Sequence, residues 1–204
     1  VINLSKVKRP IGKLIDQYKS RADVHNVFGV ILYSSRNPFT IKMLRDDDFW
    51  NALDEISGPR WPIFALRPAA GYKTSRMPRS TASAKKLMVP ITRWHEPSAN
   101  RELLETFKIV DTRKLPLFLV FAEGNKGESL QISFTIQDTD QNACYNSLKG
   151  AIKKCAEAIE KVTDENIKNT EAIYGLMDAV HYQEEVTKWI KIAVPFAQLI
   201  NSFK

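Results

Sequence analysis

The first residues that could do chemistry are Ser34, Ser35, Arg36 and Asn37, directly after the apolar run VFGVILY (27–33). Two hydroxyls at a strand end could serve as nucleophiles. No G-x-S-x-G elbow surrounds them, and nothing in the sequence places a histidine beside them. Asp46-Asp47-Asp48 could attract a divalent cation, but successive side chains on a helix point in different directions and no calcium loop follows. They fit better as an N-cap and dipole-favoured acids in a first helical turn. The histidines His25, His95 and His181 are scattered, without metal-ligand spacing to the cysteines, so no metal and no cofactor are expected. Walker-type and G-x-G-x-x-G loops are both missing from the sequence, so a glycine-rich phosphate cradle is not expected either.

Cys144 and Cys155 fall on one predicted helix. Eleven residues of helix separate them by about 16 Å, too far for a disulfide, which needs Cα atoms within roughly 7 Å. On an apolar stripe a free cysteine behaves as a small hydrophobe.

Charge is the strongest chemical signal. The chain has 30 Lys+Arg against 23 Asp+Glu, a net charge of +7. From Ser57 through His95 there is no Asp or Glu, while Arg60, Arg67, Lys73, Arg76, Arg79, Lys85, Lys86 and Arg93 all lie there. Without these eight cations the chain is close to neutral. Tyr72 and Trp94 add aromatic faces on which bases could stack. The segment could bind nucleic acid or another polyanion through counterion release. It could equally pair with acidic residues of this chain or of a partner. Arg76-Met-Pro-Arg79-Ser80-Thr81 would also suit a basophilic kinase.

The elements that must carry these residues are legible from periodicity. Ile11, Leu14, Ile15 and Tyr18 fit one face of a short helix. VFGVILY (27–33) and WPIFALR (61–67) are apolar, β-branched and aromatic, and predict buried strands. Residues 34–39 have turn composition. Phe49, Trp50, Leu53 and Ile56 form a helical stripe capped by Asp46 or Asp47 and ended by Gly58-Pro59. Residues 68–98 show no period and hold Pro68, Pro78, Pro90 and Pro97. A helix over 100–109 follows, with Ser98 or Asn100 as its cap. PLFLVFAEG (116–124) and SLQISFTI (129–136) predict a strand pair joined by a turn. Cys144, Leu148, Ile152, Cys155, Ile159 and Val162 then step at helical spacing.

This order, strand-helix-strand then helix-strand-strand-helix over 27–162, resembles the thioredoxin-like fold. Leu115-Pro116 stands where that family has a cis-proline before its hairpin, and Ser34–Pro38 stands where it has its active-site loop. The resemblance implies an α/β domain with a mixed sheet of about four strands flanked by helices. It also implies a pocket near Ser34, Ser35, Arg36, Asn37 and Pro116. The departure decides the chemistry. Thioredoxin-type redox needs a thiolate at that helix start, and this loop has no sulfur. The expectation is a redox-inactive interaction domain. An enzyme of another type with its pocket near 34–37 is the remaining alternative.

Three regions are expected: a helical segment at 1–26, the α/β core at 27–162 with the basic connection at 57–98, and a helical C-terminal extension at 163–204. In the extension Trp189, Ala193, Phe196, Ile200 and Phe203 lie at helical spacing, with Pro195 kinking or starting the helix. Trp189, Phe196, Ile200 and Phe203 are therefore expected to cover the core or to meet a protein partner or a second copy. No apolar run approaches the roughly 18 residues of a membrane span, and VINLSKVKRP lacks the apolar core of a secretory signal. With unpaired cysteines, a reducing, cytoplasmic compartment is the expectation.

Overall fold

The run Val27–Leu32 becomes the centre of the molecule. The computed structural model describes residues 2–4, 11–71, 93–95, 98–123, 128–162, 175 and 192–195. In chain order the elements are β1 (Ile2–Asn3), α1 (Ile11–Lys19), β2 (Val27–Leu32), α2 (Pro38–Met43), α3 (Asp47–Ser57), β3 (Ile63–Ala65), β4 (Ala69–Gly71), β5 (Arg93–His95), α4 (Ser98–Thr106), β6 (Leu117–Glu123), β7 (Glu128–Thr135), α5 (Gln141–Glu160) and β8 (Ile192–Pro195). A 3₁₀ turn at Thr112–Lys114 leads into Leu115-Pro116.

The expected mixed sheet forms. Its four central strands run in the order β3-β2-β6-β7, and short strands β1 and β8 extend it at either edge. β2 pairs with β3 in parallel and with β6 antiparallel, and β6 pairs with β7 antiparallel. Parallel pairing needs a crossover, supplied here by α2 and α3.

Strand alternation sorts the core into two layers. Phe28 lies opposite Phe121 on β6, and the rings sit 5.6 Å apart. Phe64 stacks beside Phe28, Tyr18 of α1 meets Phe64, and Phe107, just past α4, meets Phe121. This is the face that α1 and α4 cover. On the other face Trp61 and Phe134 pack on Phe118, with α2 and α3 packed on α5 above. β2 is buried along its whole length. Gly29 makes the second layer fit. A Cβ there would lie 3.0 Å from Ile63 Cγ1 and 3.0 Å from Phe118 Cε2.

The helices follow their local signals. Asp46 caps α3, its side chain accepting the Asp48 N–H, and Gly58 ends the helix at φ +67°. Asp140 caps α5 by accepting the Ala143 N–H. On α5 Cys144, Leu148, Ile152, Cys155 and Ile159 are all buried. Ile11, Leu14 and Ile15 of α1 belong to the same core cluster.

Four details differ from the sequence reading. α2 occupies Pro38–Met43, where turn composition alone was visible; Pro38 suits a first helical position. β3 is confined to three residues, Ile63–Ala65. The helix expected at 100–109 begins at Ser98, so Asn100 lies inside its first turn rather than capping it. The largest difference is at the C-terminus. Residues 192–195 are a strand paired with β7, not part of a continuous helix over 186–204. Ile192 and Val194 are β-branched, and Pro195 cannot donate to a ladder, which an edge position tolerates. Trp189, Phe196, Ile200 and Phe203 lie outside the described residues, as does the helix expected near 164–183 apart from Gly175. Among the described residues no helix is long and apolar enough to cross a membrane.

Replacing Gly29 by Val should lower stability by about 1–3 kcal/mol, the usual cost of overpacking a filled core. Urea denaturation of the variant beside the parent checks this; an unchanged midpoint would mean that Ile63 and Phe118 give way freely.

Candidate functional site

The site is built where β2 stops. Tyr33, the next residue, is fully buried. Its hydroxyl donates to the Leu66 carbonyl at 3.0 Å, just past β3, and its own carbonyl accepts from the Asn100 side chain in the first turn of α4. Tyr33 therefore ties three elements together at one end of the sheet, and Ser34 turns the chain away from it.

Residues 34–37 close on themselves. The Asn37 Oδ1 accepts from the Ser34 N–H at 2.8 Å and from the Ser34 hydroxyl at 3.0 Å. The Asn37 N–H donates to the Ser34 carbonyl at 3.0 Å, and the Arg36 N–H donates to Ser34 Oγ at 3.3 Å. The Asn37 Nδ2 donates to the Leu115 carbonyl at 3.1 Å. Leu115-Pro116 is a cis peptide bond, and the Pro116 carbonyl accepts from the Ile136 N–H at 3.0 Å. The loop and the proline thus meet across 78 residues of sequence, as their positions in the element order anticipate. Ser34, Asn37 and Pro116 are buried, whereas Ser35 and Arg36 are exposed.

Because Asn37 is spent on these bonds, it makes no side-chain cap for α2. Asp138, from the turn between β7 and α5, does that work instead. Its Oδ1 accepts from the Thr40 N–H at 2.7 Å and from the Thr40 hydroxyl at 2.8 Å. Asp138 gave no sign of this in the sequence, since its partner lies 98 residues away. Thr40 Oγ1 also lies 3.3 Å from Cys144 Sγ.

This arrangement holds groups in place without activating them. The Ser34 hydroxyl is paired with an amide side chain, and among the described residues its hydrogen bonds involve neither an imidazole nor a carboxylate. No sulfur lies in the loop. Cys144 and Cys155 are both free and buried on α5. Burial pushes the Cys144 thiol up to about 11, partly offset by the Thr40 hydrogen bond, and burial raises Cys155 further. Neutral thiols out of contact with water are poor nucleophiles.

Of the basic residues, Arg60, Arg67 and Arg93 fall among the described residues. Arg60 precedes β3 and Arg67 follows it, so the strand separates them along its axis. Arg67 is engaged internally, donating to Asp47 Oδ1 at 2.7 Å and to the Arg45 carbonyl at 2.5 Å. That bond uses one of the three clustered aspartates, and Asp46 is the cap of α3. Arg93 sits on β5, whose ladder with β4 pairs Gly71 with Arg93 and Ala69 with His95. The chain between 71 and 93 therefore leaves and returns at neighbouring points. Lys73, Arg76, Arg79, Lys85 and Lys86 fall within it, outside the described residues; His181, elsewhere in the chain, also lies outside them.

One further feature was not anticipated. A cavity of about 310 Å³ lies at the other end of the sheet, between the turn after α3 and the end of α5, lined by His25, Ser57, Trp61, Ala156 and Ile159 among others. Its lining residues come from three separate stretches, so no local pattern announces it. Among the described residues no three His, Cys, Asp or Glu side chains converge as a metal site would require.

Asn37→Ala should remove the acceptor for Ser34 and strand the buried Leu115 carbonyl. Unpaired buried groups cost about 1–3 kcal/mol each, so the thermal midpoint should fall clearly, while Ser35→Ala, on an exposed side chain, should leave it nearly unchanged. Equal midpoints for both variants would show that Asn37 does not hold the loop. Comparison of the chain with family models, curated proteins and solved structures returns no match.

Proposed function

We propose that this chain is a non-catalytic protein-interaction domain of thioredoxin-like architecture. One observation carries the reading. A sulfur-free loop, Ser34–Asn37, is bonded through Asn37 to the carbonyl that precedes cis-Pro116, at the end of a β3-β2-β6-β7 mixed sheet. Strand order, pairing directions and the position of the cis-proline all agree with that architecture. The loop keeps the shape of a redox site, while its side chains are committed to internal hydrogen bonds and its only polar projections are Ser35 and Arg36. Fold alone does not assign a role; the support comes from a preserved, rigid end of the sheet without a reactive group.

The reading predicts no dithiol–disulfide exchange. Insulin reduction with dithiothreitol should run at the rate of a protein-free control, and a thiol reagent should modify Cys144 and Cys155 only after unfolding. A faster insulin reaction that is lost on Cys144→Ser or Cys155→Ser would overturn it.

A second reading is favoured by a different observation. The stretch 72–92 carries Lys73, Arg76, Arg79, Lys85 and Lys86 without an acid, and the β4–β5 ladder brings its two ends together. Such a segment suits a nucleic acid or another polyanion. Its affinity should then drop steeply between about 50 and 200 mM salt, as counterion release requires. Replacing Arg76, Arg79, Lys85 and Lys86 by Gln should abolish it. Salt-independent binding, or none at low salt, would leave the protein-interaction reading alone.

A further inference from the structure

The contact between the loop and the proline segment is flanked by two cations. Arg36 immediately precedes Asn37, and Lys114 immediately precedes Leu115, whose carbonyl Asn37 holds. Both side chains are exposed, and neither forms an ion pair among the described residues. Their neighbours are different. Arg113 is paired with Asp111, and Arg67 with Asp47. Asp138, the nearest carboxylate to α2, is taken by Thr40. Arg36 and Lys114 thus bracket the contact as exposed cations, with the Asp111 carboxylate shared between its ion pair to Arg113 and the charge of Lys114.

Their separation suits a short extended segment. Backbone geometry and the Asn37–Leu115 bond hold the two Cα atoms within at most about 17 Å, and an extended chain advances roughly 3.3 Å per residue. At most around five extended residues would therefore reach from one cation to the other. The surface between them is built from groups held by internal bonds, so docking there would order little new structure and cost little entropy.

We infer that this end of the sheet docks an acidic, extended peptide segment of a partner protein, with Arg36 and Lys114 each meeting a carboxylate. The inference rests on the interaction-domain reading and adds to it the chemistry of the partner. Two cations at fixed positions select for paired carboxylates. They would reject a basic segment by repulsion, so charge supplies the specificity.

The test uses the full chain and three labelled peptides of equal length, one rich in Glu, one with Gln in the same places and one with Lys. Fluorescence anisotropy should show the Glu peptide binding most tightly and the Lys peptide not at all. Amide chemical shifts should move at 34–37 and 114–116. Arg36→Glu and Lys114→Glu should each weaken binding by roughly fivefold or more, with the two losses multiplying in the double variant. Lys153→Glu, on the exposed face of α5, is the control and should change little. If the Glu and Gln peptides bind equally, the charge assignment fails while the interaction reading stands. Glu-peptide binding lost only on Gln replacement of Arg76, Arg79, Lys85 and Lys86 would place it on the basic segment and overturn the inference. If no peptide shifts residues 34–37, the docking site fails, and with it the reading beneath.

Discussion

Everything in this molecule is arranged around a strand that is enclosed from every direction. β2 is hydrogen-bonded along both edges, to β3 and β6, and is buried on both faces. Such a strand has no side on which to place a polar group, so all six residues must be apolar or absent, and Gly29 is the absent one. Ile63 and Phe118 close over it so tightly that a Cβ would lie 3.0 Å from each and force them to shift. Large side chains elsewhere, Trp61, Phe118 and Phe134 on this face and Phe28, Phe64 and Phe121 on the other, then pack ring against ring. Close packing of this kind is worth more than its area alone suggests, because misfit is costly in both directions.

The site inherits its rigidity from that strand. A chain leaving a buried strand carries backbone groups that need partners, and Tyr33 to Asn37 supply most of them for one another. Asn37 is the centre: one amide side chain satisfies Ser34 and Leu115 together. The consequence passes on to α2, whose first turn must find its acceptor elsewhere and finds it in Asp138. α5 is drawn in through the same group, since Thr40 touches both Asp138 and Cys144. The loop, the proline segment, α2 and the start of α5 therefore behave as one bonded unit, which suits a surface that binds without rearranging.

Electrostatics are divided between structure and solvent. Arg67 serves the fold, holding the chain after β3 against the start of α3. Surface pairs such as Arg113–Asp111 and Arg101–Glu105 add little stability, being exposed and screened. What they do is neutralise their own neighbourhood, whereas Arg36 and Lys114 are exposed cations outside any such ion pair among the described residues. Val110 is the one large hydrophobic residue strongly exposed among those described, so the described surface carries no extended apolar patch.

The local part of this structure was legible in the sequence because its causes are local. Periodicity located α1, α3 and α5 and the four central strands; Asp46 and Gly58 marked the ends of α3; and the sequence of 34–38 holds no sulfur. The eleven-residue spacing of Cys144 and Cys155 likewise excluded their pairing. Where the reading went astray, a partner distant in sequence had decided the outcome. Ile192–Pro195 has an apolar spacing that suits a helix, but β7 offers it an edge, and a ladder outweighs a weak local preference. The helix α2 is hidden in turn-like composition because its capping acid comes from Asp138. The meeting of Asn37 with Leu115 could be suspected from the order of elements, yet the bond itself depends on tertiary packing. So does the pairing of the cations. Composition shows that cations exceed acids, but which cation is paired depends on which carboxylate folding places beside it, and that distance exists only in three dimensions.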